Sequence, residues 1–151
     1  GPGCVDAVPQ LVELLGNENL RTRYAASFSL GQVGPDASRL FGIEEKLTDE
    51  DELLKVIGAW ALVRIEPKDT KLAKQVAPLF LNALNNDMPV VRIEAANSLG
   101  LIGNVLQSGD VKAALREALQ DSDPMVQRES VKSSAFANAT GVILVTASKI
   151  G

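Results

Sequence analysis

The side chains with the most chemistry to offer are aromatic and cationic ones at helical spacing: Tyr24 and Phe28, then Ile57, Trp60 and Arg64. Phe28 and Trp60 are 32 residues apart, at equivalent places in two similar segments. Rings and guanidinium groups anchor binding hot spots, so this set predicts a noncovalent contact surface rather than a bond-making centre. The alternative is that both rings pack against neighbouring helices. Bond-making readings fail on the residue inventory. The chain has no histidine and one cysteine, Cys4. That excludes His-dependent triads, Cys/His zinc sites and an intrachain disulfide. Ser27, Ser29, Ser133 and Ser134 have no imidazole to activate them, and Cys4 has no evident base beside it. Glu44-Glu45 and Asp49-Glu50-Asp51 read as solvated helix starts, and the latter lacks the glycine and ligand spacing of a calcium loop. No catalytic residue, metal or cofactor is expected.

Composition narrows the partners. Lys and Arg number 15 against 19 Asp and Glu, a net charge of −4. Nucleic-acid binding draws on clustered cations that displace counterions, so none is expected. Hydrophobic residues make up 46% of the chain and aromatics only 4%. Alanine and leucine carry the apolar content, which suits closely packed helices. No apolar run reaches the length of a membrane span and no secretory pattern is present, so membrane insertion is not expected and a cytoplasmic location is. The start Gly1-Pro2-Gly3 lacks Met and resembles the step at Gly34-Pro35. It predicts a junction inside a longer parent protein; the alternative is the scar of a cleaved tag.

These side chains must be positioned by a repeated element. The position opening each second helix holds Arg23, Lys55, Arg92 and Gln127, at spacings of 32, 37 and 35. The leucine closing each first helix holds Leu15, Leu47, Leu84 and Leu119, again at 32, 37 and 35. Two independent columns with one set of spacings predict four helix-turn-helix units, at about 5–34, 35–67, 68–103 and 105–140, followed by a tail. The best-formed segment is Val90 to Gly103, V-V-R-I-E-A-A-N-S-L-G-L-I-G, read as a helix with a glycine stop. Asn19 is expected to cap a second helix and Asp110 a first one. Pro78 is expected to kink the helix around it. The tail from Gly141 to Thr146 is expected to form a short final helix.

The pattern V-R-x-x-A-A-x-x-L-G-x-I-G from Val91 to Gly103, with A-V-P-x-L-x-x-L-L from Ala7 and V-A-P-L-F-L-N-A-L from Val76, resembles HEAT repeats. It is similar in particular to the short subtype named after phycobilisome lyases. The resemblance implies an all-α fold, a right-handed α-α superhelix of about four antiparallel helix pairs forming a single domain over 1–151. It also implies that second helices line a concave face. On those helices Val91, Ala95, Leu99 and Ile102 are expected to be buried. The stripe Glu94, Asn97 and Leu101 is expected to face solvent, with counterparts Ala25, Phe28, Gln32, then Ile57, Trp60, Arg64, then Glu129, Lys132, Phe136. The expected function is a noncatalytic scaffold that binds a peptide or protein surface on that face. The alternative from the subtype resemblance is a bilin-chromophore lyase or chaperone. Arg23, Lys55 and Arg92 each follow an acid by five residues: Glu18, Glu50 and Asp87. They are read as exposed structural pairs worth under about 1 kcal/mol each.

Overall fold

The computed structural model describes residues 7–34, 43 and 50–138, apart from the side chains of Tyr24 and Glu52. Among these residues there are seven helices and no strand. They are α1 (Val8–Leu14), α2 (Leu20–Val33), α3 (Glu52–Ile65), α4 (Thr70–Ala83), α5 (Pro89–Leu106), α6 (Gly109–Ala118) and α7 (Pro124–Ala137). The chain divides into two compact units, residues 1–72 and 73–151. In the first, α1 packs on α2 and α2 on α3; in the second, α7 packs on both α5 and α6, and α5 also meets α6. Cys4, the chain start, Glu44-Glu45, Leu47, Asp49 and the tail from Gly141 lie outside the described residues.

The helix starts follow from Asn and Asp chemistry. Asn19 Oδ1 accepts from the backbone N–H groups of Arg21 and Thr22, Asp51 Oδ1 from those of Leu53 and Leu54, and Asp123 Oδ1 from those of Met125 and Val126. Each satisfies donors that the first turn leaves orphaned. Met88 holds the same place before α5 and makes no side-chain cap. Pro89 follows it, and proline at the first helical positions removes one of those donors. Before α6 the cap is Ser108, whose Oγ accepts from Val111 N–H at 3.4 Å, and not Asp110. Asp110 sits in the first turn, where its charge favours the helix dipole. Pro78 is exposed inside α4, which runs through it from Thr70 to Ala83.

Gly103 is not the stop of α5. The helix runs on to Leu106 and ends at Gln107, whose φ of 51° is left-handed. Gly103 is instead a packing residue. A Cβ there would stand 3.0 Å from Ala137 Cβ and 3.1 Å from Val111 Cγ1. Gly100 is tighter still, since a Cβ would meet Ser133 Cβ at 2.7 Å and Ser133 Cα at 2.8 Å. Both glycines give up helix propensity so that α5 and α7 can approach. The inner face of α5 is the expected one: Val91, Ala95, Leu99 and Ile102 are buried.

Candidate interaction surface

The sequence-predicted contact residues part company in the structure. Ile57 and Trp60 have no exposed surface and are corrected to core residues. The reason is the composition of α3. Every residue from Val56 to Val63 is apolar and buried, so this stretch offers water no polar face. A helix that is apolar all round is an interior helix, whichever stripe a residue occupies. Phe28 remains outside, 61% exposed on α2. Arg64 is half-buried at the end of α3 and donates from Nη1 to the Trp60 carbonyl at 3.3 Å. Its stem lies against α2, where a Cβ on Gly31 would stand 2.6 Å from Arg64 Cβ. Tyr24 belongs to α2, and its side chain lies outside the described residues.

The same stripe does form a surface in the second unit. A groove of about 220 Å³ runs between α5 and α7, lined by Asn97, Leu101, Glu129, Lys132 and Phe136 with Gly100 and Ser133. Asn97 Nδ2 donates to Glu129 Oε1 at 2.9 Å, across the two helices. Lys132 Nζ donates to Glu129 Oε2 at 3.2 Å. Both carboxylate oxygens are thus engaged, while the Lys132 side chain is itself 68% exposed. Phe136 is 48% exposed and Leu101 half-buried beside it. The groove therefore offers an apolar edge, an accessible ammonium group and a fixed polar floor, a mixture suited to holding a side chain by noncovalent contact. The two glycines that set the α5–α7 approach were legible as letters but not as a packing device.

A second polar cluster joins successive turns. Arg92 grips Asp121 through two parallel bonds, Nε to Oδ2 at 2.9 Å and Nη2 to Oδ1 at 3.0 Å. Its Nη1 donates to the carbonyls of Asn86 and Asp87 at 2.8 and 3.1 Å. The partner is therefore a carboxylate 29 residues on, and Asp87 contributes its backbone rather than a side-chain pair. With about an eighth of each side chain accessible, at 12% and 13%, the pair is shielded from the solvent screening that weakens surface pairs. The hydrogen bond from Arg92 holds the Asp121 carboxyl below its ordinary value, with the Asp123 N–H adding to this and burial opposing it. The same bond raises Arg92.

The turn residue recurs. Asn17 accepts through its carbonyl from Arg23 Nε, Asn86 from Arg92, and Asp121 from Gln127 Nε2 at 2.6 Å. Each also accepts through Oδ1 from the N–H two residues on, at 2.9, 3.0 and 2.8 Å respectively. These positions, with Asp49, repeat at the same 32, 37 and 35 spacing, which was the available signal for them.

Fold and groove define an all-helical repeat protein with a side-chain-lined cleft between second helices. Residues 76–140 match the family model described as HEAT repeats. The crystal structure of an engineered protein, a target of the Northeast Structural Genomics Consortium, aligns with 86% of this chain at 24% identity and a TM-score of 0.55. The alignment spans 62% of that engineered chain, and the likeness is one of fold. No curated protein matches the sequence. Among the described residues no helix is long and apolar enough to cross a membrane.

Proposed function

We propose that this chain is a noncatalytic interaction scaffold that binds a peptide or protein surface along its second helices, with the α5–α7 groove as the principal contact. The observation that carries this reading is the groove itself. Leu101 and Phe136 leave apolar surface accessible next to Lys132, while the Asn97–Glu129 bond fixes the floor. Repeats of the HEAT kind are generally interaction scaffolds, and the match over residues 76–140 spans both groove helices. Phe28 and Arg64 stay as candidate contacts of the first unit, Phe28 for its exposure. A bilin lyase, the alternative from the subtype resemblance, would need a chromophore pocket, and Ile57 and Trp60, which could have lined one, lie in the core.

Selection of displayed peptides on the immobilised chain tests the reading. Selected peptides should lose at least tenfold in affinity for Phe136→Asp and for Lys132→Glu, and keep their affinity for an Arg116→Glu control at an exposed position of α6. Equal binding to all variants would reject the groove as the contact.

A further inference from the structure

The accessible stripes of α5 and α7 follow one order. Val90, Glu94, Asn97 and Leu101 share one face of α5, and Met125, Glu129, Lys132 and Phe136, each 35 residues on, share the matching face of α7. The Asn97–Glu129 bond and the common lining by Leu101 and Phe136 set the two faces side by side. Both read apolar, Glu, polar, apolar. The groove holds one apolar end, Leu101 and Phe136. The other end lies outside it and is accessible too: Val90 is 38% exposed and Met125 54%.

The polar middle favours a carboxylate at one place. Glu129 has both oxygens engaged, by Asn97 and Lys132. The Lys132 ammonium carries three donors and gives one to Glu129, so it can serve a further acceptor. Exposed Arg128 lies one turn before it. Glu94, half-buried on the Val90 side, offers no such donor. An acidic group of a partner is therefore drawn to Lys132, one helical turn from Phe136 and two from Met125.

The spacing selects the backbone of that partner. Eleven residues separate Val90 from Leu101 and Met125 from Phe136, about 16 Å along an α-helix. An extended segment covers that distance in about five residues, and side chains an odd number apart on a strand point to opposite sides. On an α-helix, residues eleven apart return to one face at the same distance. We infer that the α5–α7 surface takes an amphipathic helix of a protein partner lying along both helices, with apolar side chains eleven residues apart on its two apolar ends and a carboxylate at Lys132. This rests on the groove as the contact and adds a second anchor to it, Val90 with Met125.

Fluorescence anisotropy of a labelled helical peptide of about 18 residues, titrated with the full chain, tests this. The peptide carries leucines at its third and fourteenth positions, glutamates at its seventh and tenth to serve either direction, and alanine and glutamine elsewhere. Moving the second leucine two positions back, onto the opposite face, should weaken binding at least tenfold. Met125→Asp and Phe136→Asp should each do the same; an acid in the first turn of α7 suits the helix dipole, so Met125→Asp keeps the fold. Glutamine in place of both glutamates should cost about threefold on the wild type and nothing on Lys132→Gln. Equal binding of the two leucine arrangements, a glutamine cost that persists on Lys132→Gln, or no binding below about 1 mM would overturn the inference. So would a loss with Phe136→Asp but none with Met125→Asp, which leaves the groove itself as the contact. Display-selected peptides indifferent to Phe136→Asp would remove the groove reading as well.

Discussion

In the first unit Gly31 lets α2 approach the stem of Arg64 on α3; in the second Gly100 lets α5 approach the backbone of Ser133 on α7. The device is the same, and the helices it brings together differ. The α3 stretch from Val56 to Val63 is apolar throughout and fully enclosed. Helix α7 buries Val126, Ser130, Ser133 and Ala137 on one side and shows Arg128, Val131, Lys132 and Phe136 on others. One packing rule thus yields a structural helix where the stripe is apolar and an accessible groove where it is polar. Exposure follows from what the rest of the helix carries, not from the column a residue occupies.

The contrast can be broken first at Trp60. Trp60→Ala removes the largest enclosed side chain and should cost about 3–5 kcal/mol in urea unfolding. Next comes the Arg92–Asp121 pair. Asp121→Asn should cost about 2 kcal/mol at neutral pH, because it leaves a mostly buried guanidinium with weakened partners. The pH dependence carries a sign. Asp121 titrates lower folded than unfolded, so its contribution is complete above the unfolded value of about 4 and is lost as pH falls through the lower folded one. Thermal melts from neutral pH down to about pH 3 should fall less steeply for Asp121→Asn than for the wild type. Gly100→Ala gains helix propensity but drives a Cβ into Ser133, for a net loss of about 1–2 kcal/mol. Phe136→Ala, at the groove edge, should change stability by less than about 0.5 kcal/mol while weakening peptide binding.

Helix positions and the buried face of α5 were legible because spacing records them directly. The columns of Arg23, Lys55, Arg92 and Gln127 located the second helices, and the Asn19 cap was plain from its residue type and its place just before one of them. The Arg92–Asp121 pair was not legible, since five residues to Asp87 looked like a local pair while the geometry selects a carboxylate 29 residues on. Gly103 was misread because a glycine near a helix end suits both a stop and a close approach, and only the contact with Ala137 separates them. Trp60 was misplaced for a similar reason. The column comparison set it beside Asn97 and Lys132, although its own neighbours, Ala59, Ala61, Leu62 and Val63, announced an interior helix.

The most direct measurement uses Trp60, the sole tryptophan of the chain. With the ring enclosed, native emission should be blue-shifted and acrylamide quenching weak, both reverting on unfolding in urea. Red-shifted native emission with quenching close to that of the unfolded chain would contradict the division between an enclosed α3 and an open α5–α7 groove, and would return Trp60 to the contact surface.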